Sequence, residues 1–233
     1  MRLSSESYKT KMATIDFKKI KFEFLNFLRN SDILTLTQRG VATTTDNGTF
    51  AADLTHTIAV TNIKNIRSIV IGGTTLSYGK DYTVDLFFLD TTYKTKITFT
   101  VAQTGVYVIT YDFGTGDKIW DDFPRNDLTV SSYPRIGFDI ISGTTREMGV
   151  GAMHTLSEVI ISVVVYAGTK NEIEETLYNI RNVILSAKKD FYYIKFITPG
   201  DIGPMIMNPN PSQKIMQRNY DFYTRLKTEA VAF

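Results

Sequence analysis

The sequence lacks cysteine altogether and has only two histidines and one tryptophan among its 233 residues. Without cysteine there is no disulfide framework and no thiolate site for a metal ion. The two histidines, His56 and His154, lie about a hundred residues apart in dissimilar surroundings. A histidine-based metal centre or a nucleophile–histidine dyad therefore has little support.

An excess of charge of one sign and long apolar runs are also missing. The 26 Lys and Arg residues nearly cancel the 24 Asp and Glu residues, and a net charge of +2 provides no strong field to attract nucleic acid or an anionic membrane. The N-terminal segment MRLSSESYKTKMATIDFKK has no signal-peptide apolar core, and no later run approaches the roughly 18 apolar residues of a membrane span. We therefore expect a soluble, unexported protein with no membrane partner.

Catalytic and nucleotide-binding motifs are absent as well. The sequence contains no GxSxG, GxxxxGKS/T or GxGxxG pattern. The tripeptide Asp112–Gly114 has the kinase DFG sequence, but no glycine-rich loop, strand lysine or catalytic-loop aspartate accompanies it. The adjacent carboxylates Asp121 and Asp122 have no further acidic cluster to help them hold a cation. We predict that the protein is not an enzyme and has no metal site and no cofactor.

The first element that the sequence does contain is an amphipathic helix, predicted from Ile15 to Arg29. Thr14 can cap its first turn, and Asp16 suits the positive end of the helix dipole. Its apolar residues recur at helical spacing: Phe17, Ile20, Phe24, Phe27 and Leu28. Packing against a protein core is favoured over membrane binding, because five large apolar side chains need a permanent partner.

From Thr43 the sequence changes to short β-rich runs separated by turn residues. Residues that are typical of chain reversals occur at Asp46–Gly48, Gly72–Gly73, Tyr78–Asp81 and Gln103–Gly105. Five or more strands in about 70 residues make a small sandwich or open barrel. We predict an inserted all-β, sandwich-like domain at residues 43–116 that projects outward from the rest of the protein.

From residue 117 to the C-terminus, strand patterns alternate with one strong helix pattern. Strands are predicted at RIGFDIIS, SEVIISVVVYA, DFYYIKFIT and KIMQRNYDFYTRLK. The helix follows the second strand, with Thr169 and Glu172 at capping-box spacing. The N-terminal helix is the obvious second cover for this sheet. The predicted fold class is α+β, with a four-stranded, mainly antiparallel sheet covered by two helices and formed by residues 1–42 and 117–233.

Two long loops with apolar content are predicted in this part of the chain, at Ser142–Ser157 and Thr198–Ser212. Loops of this length are usually functional or disordered, and exposed apolar loops imply a partner surface. Alternatively, both loops fold back onto their own sheet, since methionines often fill irregular gaps. The candidate interface residues are Arg146, Glu147, Met148, Val150, Met153, His154, Asp201, Ile202, Met205, Ile206 and Met207.

The first helix and the segment from Tyr133 to Phe233 resemble tail-terminator or neck proteins of long-tailed phages and related viruses. The order helix, strand, strand, helix, strand, strand and the closing QRNYDFYTRL strand carry this resemblance. It implies a structural virion protein without catalytic residues, assembled in the host cytoplasm into a ring, typically of six subunits. Such a ring caps the tail tube and joins it to the head connector, and viral DNA can pass through its lumen without sequence-specific binding.

The inserted β segment is similar to Ig-like β domains that decorate many virion proteins. Their pattern G-x-x-L-x-x-G-x-D-Y, followed later by V-x-Y-x-x-G, is matched here with small differences in spacing. The matching residues are Gly73, Leu76, Gly79, Asp81, Tyr82, Val108, Tyr111 and Gly114.

A carbohydrate-binding or adhesive protein of a virion or cell surface is the alternative, because β modules rich in Tyr and Thr bind glycans. Four tyrosines could offer stacking faces for sugar rings: Tyr78, Tyr82, Tyr93 and Tyr107. A small enzyme would need titratable side chains that converge in one pocket, which the sequence gives no reason to expect.

Overall fold

The structure of the protein, a computed structural model, describes residues 17–85, 94–121, 133–148, 154–187, 190–207 and 215–226. These residues are mostly β, with 59% strand and 21% helix arranged as two multi-stranded sheets and three helices. The predicted α+β fold with a four-stranded sheet covered by two helices is therefore wrong. The error arose because segments that we interpreted as turns and loops continue as strands.

The first sheet contains five strands among the residues that the structure describes. They are β1 (Ala42–Thr61), β2 (Ile63–Ile71), β3 (Thr74–Thr75), β4 (Tyr82–Asp85) and β5 (Lys94–Phe113). The strand order is β1-β5-β2-β3, and β4 pairs with the first part of β5. Gly72 and Gly73, both with positive φ, form the reversal between β2 and β3.

Two of the predicted reversals lie inside the long strands instead. Asp46–Gly48 is part of β1, and Gln103–Gly105 is part of β5. The two strands pair along their whole length, with irregular register around residues 51–55, where Ala52 has a φ of 73°. Gln103 lies at this irregularity, opposite Asp53, so the strands bend there rather than end, whereas Asp46–Gly48 continues the regular ladder.

The bend folds β1 over on itself. Asp46 Oδ2 and His56 Nε2 lie 2.7 Å apart, although ten residues of straight strand would separate them by ~33 Å. The ring of Phe50 stacks on Tyr107 with centroids 4.1 Å apart and meets Phe99 edge-on at 5.3 Å. The two halves of the sheet thus face each other across an aromatic core.

In the described part of the chain, the second sheet has six strands rather than the predicted four. They are β6 (Ile119–Trp120), β7 (Arg135–Met148), β8 (His154–Ala167), β9 (Ile194–Ile202), β10 (Ile206–Met207) and β11 (Met216–Leu226). The order is β10-β11-β8-β7-β6, with β9 also paired to β11, and only the short β6–β7 pair is parallel.

Both segments that were predicted to be long loops are partly strand. Residues 142–148 continue β7, and β8 begins at His154, directly opposite Met148 in the register. In the second segment, β9 extends to Ile202 and β10 pairs with the start of β11. The described parts of the first loop are therefore two paired antiparallel strands, and two short strand pieces replace much of the second.

The helices are α1 (Phe17–Asn30), α2 (Leu36–Arg39) and α3 (Lys170–Ser186). At the start of α3 the Thr169 hydroxyl accepts the backbone N–H of Glu172 at 3.3 Å, as the capping spacing predicts. A second cap, not recognised in the sequence, joins Thr35 and Gln38 at the start of α2. The predicted first turn of α1, from Ile15, lies outside the described residues.

Helix α1 lies between the two sheets. Its Phe22 contacts Tyr78 of the first sheet's loop at 4.5 Å between ring centroids, and its Phe24 contacts Phe138 of β7 at 4.9 Å. The apolar side chains of both sheets consequently belong to one continuous core. Residues 43–116 therefore share their packing with the rest of the chain, and the division into two domains at the predicted boundaries stays a prediction.

Gly79, in the loop before β4, lies close to the two tyrosines that precede β9. Its φ is +78°, and a Cβ atom there would lie 2.6 Å from the ring of Tyr192 and 2.9 Å from the ring of Tyr193. Gly73 has a similar φ of +83° but open space around it. An alanine would therefore be strained at either position, but only at Gly79 would its Cβ atom lack room.

We expect Gly79→Ala to reduce the free energy of unfolding by about 2–3 kcal/mol, and Gly73→Ala by only about 1 kcal/mol. Both variants carry the left-handed strain of an alanine, and Gly79→Ala must also displace two aromatic rings. Urea unfolding followed by the fluorescence of the single tryptophan measures both losses. Equal losses would show that the loop moves away from Tyr192 and Tyr193 without cost.

Candidate functional site

The second sheet has one covered face and one partly open face. Along β8, Val159, Ile161 and Val163 point into the core beneath α1 and α3 and are at most 2% exposed. The opposite face carries Tyr166 and Val164, which Tyr133 and Ile215 cover at one end. Towards the other end of β8, this face has no cover among the described residues.

A groove with a volume of about 420 Å³ lies on the open part of this face. It crosses four strands and follows the irregularity in β7 between Ile140 and Ser142. Its walls are formed by Ser142, Gly143, Thr144, Glu158, Val159, Ile160, Phe196, Thr198, Tyr223, Thr224 and Arg225.

The charged and aromatic side chains of the groove pair with one another. Arg225 donates from Nε to Glu158 Oε1 at 2.9 Å, and its guanidinium lies 5.5 Å from the centre of the Phe196 ring. The hydroxyl of Tyr223 donates to Asp201 Oδ2 at 3.2 Å, and this hydrogen bond raises the pKa of Tyr223. These partners hold the charged and aromatic side chains of the groove in place.

The predicted interface residues from 201 to 207 lie at one edge of the second sheet, on the end of β9 and on β10. Ile202, Ile206 and Met207 are 51%, 49% and 69% exposed. Met205 instead packs half-buried against the main core. The apolar side chains at this edge are therefore mostly available to a partner.

The other predicted interface residues lie at the opposite edge. Arg146, Glu147 and Met148 are on the last part of β7, and His154 begins β8. Val150 and Met153 lie outside the described residues. Since β8 and β11 separate β7 from β10, one subunit does not bring the two predicted groups together.

A cluster of buried charges lies outside the open groove, and the sequence did not predict it. Arg39 is 1% exposed and donates to Asp112 Oδ2 at 3.0 Å and to Asp117 Oδ2 at 2.9 Å. It also donates to Asn65 Oδ1 and to the carbonyl of Arg29, both at 2.8 Å. This cluster joins α1 and α2 to the end of the first sheet.

The carboxylates of this cluster remain charged although they are buried. Burial raises the pKa of Asp112, but hydrogen bonds from Arg67, Thr43 and Asn65 outweigh it and lower the pKa below its ordinary value. Burial also raises the pKa of Asp117. The positive charges of Arg29 and Arg39 outweigh this effect, so the pKa of Asp117 is again below its ordinary value. The Asp112 of the DFG tripeptide is thus an ion-pair partner at the end of β5.

Glu23 of α1 is a buried carboxylate for which the described part of the chain shows no comparable salt bridge. Its side chain accepts the backbone N–H groups of Tyr192, Tyr193 and Ile194, at 3.0 Å for Tyr193 and 3.3 Å for Ile194. Burial raises the pKa of Glu23 to about 7, although the three hydrogen bonds and the charge of Lys195 lower it. Glu23 therefore titrates near neutral pH at the point where α1 meets β9.

The tyrosines proposed to stack on sugars are poorly placed for that role. Tyr82 and Tyr107 are 4% and 8% exposed, and Tyr78 is half-buried among Phe22, Tyr82 and Tyr193. Tyr93 lies outside the described residues. The first sheet therefore offers no stacking platform built from Tyr78, Tyr82 and Tyr107.

Within the described ranges, no three acidic, histidine or cysteine side chains come together in a group that could hold a metal ion. None of the three described helices is long and apolar enough to cross a membrane. No protein-family model matches the sequence, and no curated protein is similar to it.

Proposed function

We propose that this protein is a structural virion subunit that assembles with copies of itself into a ring at the tail or neck. In this role the ring ends the tail tube and joins it to the head connector, and viral DNA passes through the lumen without sequence-specific contacts. Six subunits are the number that the resemblance to tail-terminator proteins implies. Assembly takes place in the host cytoplasm, and the finished ring belongs to the virion.

The observation that supports this proposal most directly is the position of two predicted contact segments at opposite edges of one sheet. A closed ring is built from head-to-tail contacts, which need two different surfaces on opposite sides of each subunit. The end of the β7–β8 hairpin lies at one side, and the end of β9 with β10 lies at the other. In a ring, the hairpin of one copy meets β10 of the next.

The chemistry at the β10 edge fits a protein partner. Ile202, Ile206 and Met207 expose apolar side chains within a span of six residues. Exposed apolar side chains that lie together generally mark a contact surface, and methionine adapts to irregular partner surfaces. The neighbouring Asp201, bonded to Tyr223, supplies a fixed polar group at the rim of this surface.

Changing Ile206 and Met207 together to Asp tests the ring contact. Each side chain contributes at least ~1.5 kcal/mol when it is buried between subunits, so we expect the assembled fraction to fall at least tenfold. The variant should remain folded, because both side chains are exposed in the single chain. Native mass spectrometry, followed by imaging of any oligomer, measures the loss.

Tyr178→Asp is the matched control, since Tyr178 is a 61% exposed apolar side chain that lies on α3 and not on the predicted contact segments. The control should assemble like the wild-type protein. Rings that persist in the Ile206→Asp, Met207→Asp variant would reject this contact. A wild-type protein that stays monomeric at every soluble concentration, with or without added tail tubes, would reject the ring.

A further inference from the structure

The first half of β1 is a sheet edge without the usual protection. Among the described residues, β1 pairs only with β5, so its other side is free. Residues 42–51 pair with residues 104–113 without a register shift. This half contains no lysine, no arginine and no proline, whereas natural edges usually carry such residues or a bulge. The edge formed by β9, in comparison, has Lys195, Pro199 and Asp201.

The backbone groups that face outward can be identified from the neighbouring strands. Gly72 donates its N–H to the carbonyl of Val106 at 2.9 Å, so Val106 directs its backbone groups towards β2. Backbone direction alternates along a strand, and Tyr107 and Ile109 therefore bond to Gly48 and Asp46 of β1. The residues between them on β1 point their N–H and C=O groups away from the sheet. They are Thr45, Asn47 and Thr49.

The side chains along this edge carry no opposing charge. Thr45, Asn47 and Thr49 are exposed and uncharged. Asp46, the one ionisable residue of this half, points to the other face and contacts His56. Val106 on the adjacent strand is 66% exposed and extends the uncharged surface beside the edge.

We propose that this edge pairs with the same edge of a second copy of the chain. Such pairing is two-fold symmetric and antiparallel, with Asn47 opposite its own counterpart and Thr45 opposite Thr49 of the other copy. Self-pairing sets each side chain against its own kind, and like charges directly opposite each other are destabilising. An uncharged edge avoids that repulsion, and the outward N–H and C=O groups of three residues gain partners. The two five-stranded sheets become one.

This contact goes beyond the proposed ring and is independent of it. A two-fold contact uses the same surface on both copies, whereas a ring contact uses two different surfaces. Pairing through β1 therefore joins subunits of two separate rings, back to back. If no ring forms, the same contact produces a simple dimer.

Substitutions at the outward positions test the pairing and its register. Asn47→Lys puts two lysines face to face across the two-fold axis, and Thr45→Lys with Thr49→Lys does so twice. Both variants should halve the mass of the wild-type assembly in native mass spectrometry. Thr45→Lys with Thr49→Glu places Lys opposite Glu in both halves of the contact, so this variant should keep the wild-type mass.

Thr75→Lys adds the same charge to exposed β3, at the far side of the sheet, and should also keep the wild-type mass. Circular dichroism should show the same fold in all variants, because none of the substituted side chains is buried. An unchanged mass for Asn47→Lys overturns the proposal, as does a Lys–Glu variant that dissociates like the Lys–Lys variant. A wild-type protein that forms only single, unpaired rings, or only monomers where no ring forms, overturns the proposal as well. The Ile206→Asp, Met207→Asp variant separates the two contacts, since it should leave dimers.

Discussion

Replacing Arg39 with methionine is expected to lower the free energy of unfolding by about 3–5 kcal/mol. The guanidinium of Arg39 is buried with Asp112 and Asp117 and donates five hydrogen bonds to groups in three parts of the chain. Methionine fills a similar volume, but it leaves the buried carboxylates of Asp112 and Asp117 with less compensating positive charge. It also leaves Asn65 Oδ1 and the carbonyl of Arg29 without the donor that Arg39 supplies. Removing one partner of a buried ion pair is far more destabilising than removing an exposed one, because the remaining charge stays desolvated.

Arg225→Met is the matched control for this prediction. Arg225 lies 2.9 Å from a carboxylate oxygen of Glu158, as Arg39 does from Asp117, but its side chain is 54% exposed. An exposed pair of this kind contributes about 0–1 kcal/mol. Urea unfolding monitored by circular dichroism and by tryptophan fluorescence gives both losses. Similar small losses for the two variants would mean that water enters the Arg39 cluster and replaces the lost hydrogen bonds.

The Arg39 cluster also shows what the sequence could not predict. Arg39 and Asp112 are 73 positions apart, and nothing in the local sequence of either residue selects the other. In contrast, the helical spacing of Ile173, Leu177, Ile180 and Ile184 predicted a buried stripe, and all four side chains are at most 5% exposed. Periodicity reports a local preference for one buried face, whereas ion pairs depend on the tertiary fold.

Turn residues caused the main error in the fold. Asp46–Gly48 and Gln103–Gly105 have the composition of chain reversals, but each lies within a 20-residue strand. Residues of this kind can reverse a chain, lie beside a bulge or continue a regular ladder, and only the pairing partner decides among these outcomes. The same ambiguity hid the β7–β8 hairpin, because its glycines and methionines suggested a loop.

The candidate contact surface was only partly predictable. Ile206 and Met207 were predicted to be contact residues because they are apolar and lie in a segment rich in proline and glycine, and both are exposed. Phe196 and Tyr223 of the groove were missed, since alternation along a strand assigns side chains to a face without showing whether that face is covered. Coverage depends on where α1 and α3 pack, which is a property of the whole chain.

Glu23 should make the protein less stable as the pH rises from about 4.5 to about 7. Burial raises the pKa of this carboxyl from 4.5 to about 7 in the folded protein, so the folded state holds its proton more tightly than the unfolded chain does. The stabilisation is complete below the unfolded pKa and disappears as the pH passes through the folded value. A shift of this size corresponds to about 3 kcal/mol.

Comparison with Glu23→Gln isolates this contribution from all other titrating groups. Glutamine cannot ionise, and its single carbonyl oxygen can accept only part of the hydrogen bonds from Tyr192, Tyr193 and Ile194. The free energy of unfolding of the wild type, minus that of the variant, should therefore fall by about 3 kcal/mol between pH 4.5 and 7 and stay constant above that range. Urea unfolding at a series of pH values measures the difference.

The opposite slope is the outcome that contradicts this prediction. If the three backbone N–H donors and Lys195 outweighed burial, the pKa of Glu23 in the folded protein would lie below 4.5. The free energy of unfolding of the wild type, minus that of the variant, would then rise with pH until the pH reached about 4.5. Asp112 and Asp117, whose pKa values are lowered in the folded protein, do make the protein more stable as the pH rises. The stabilisation that they contribute is lost at acidic pH. It cancels in the comparison because both proteins contain the same cluster. The sign of the difference thus decides whether desolvation or hydrogen bonding controls the charge of Glu23 between α1 and β9.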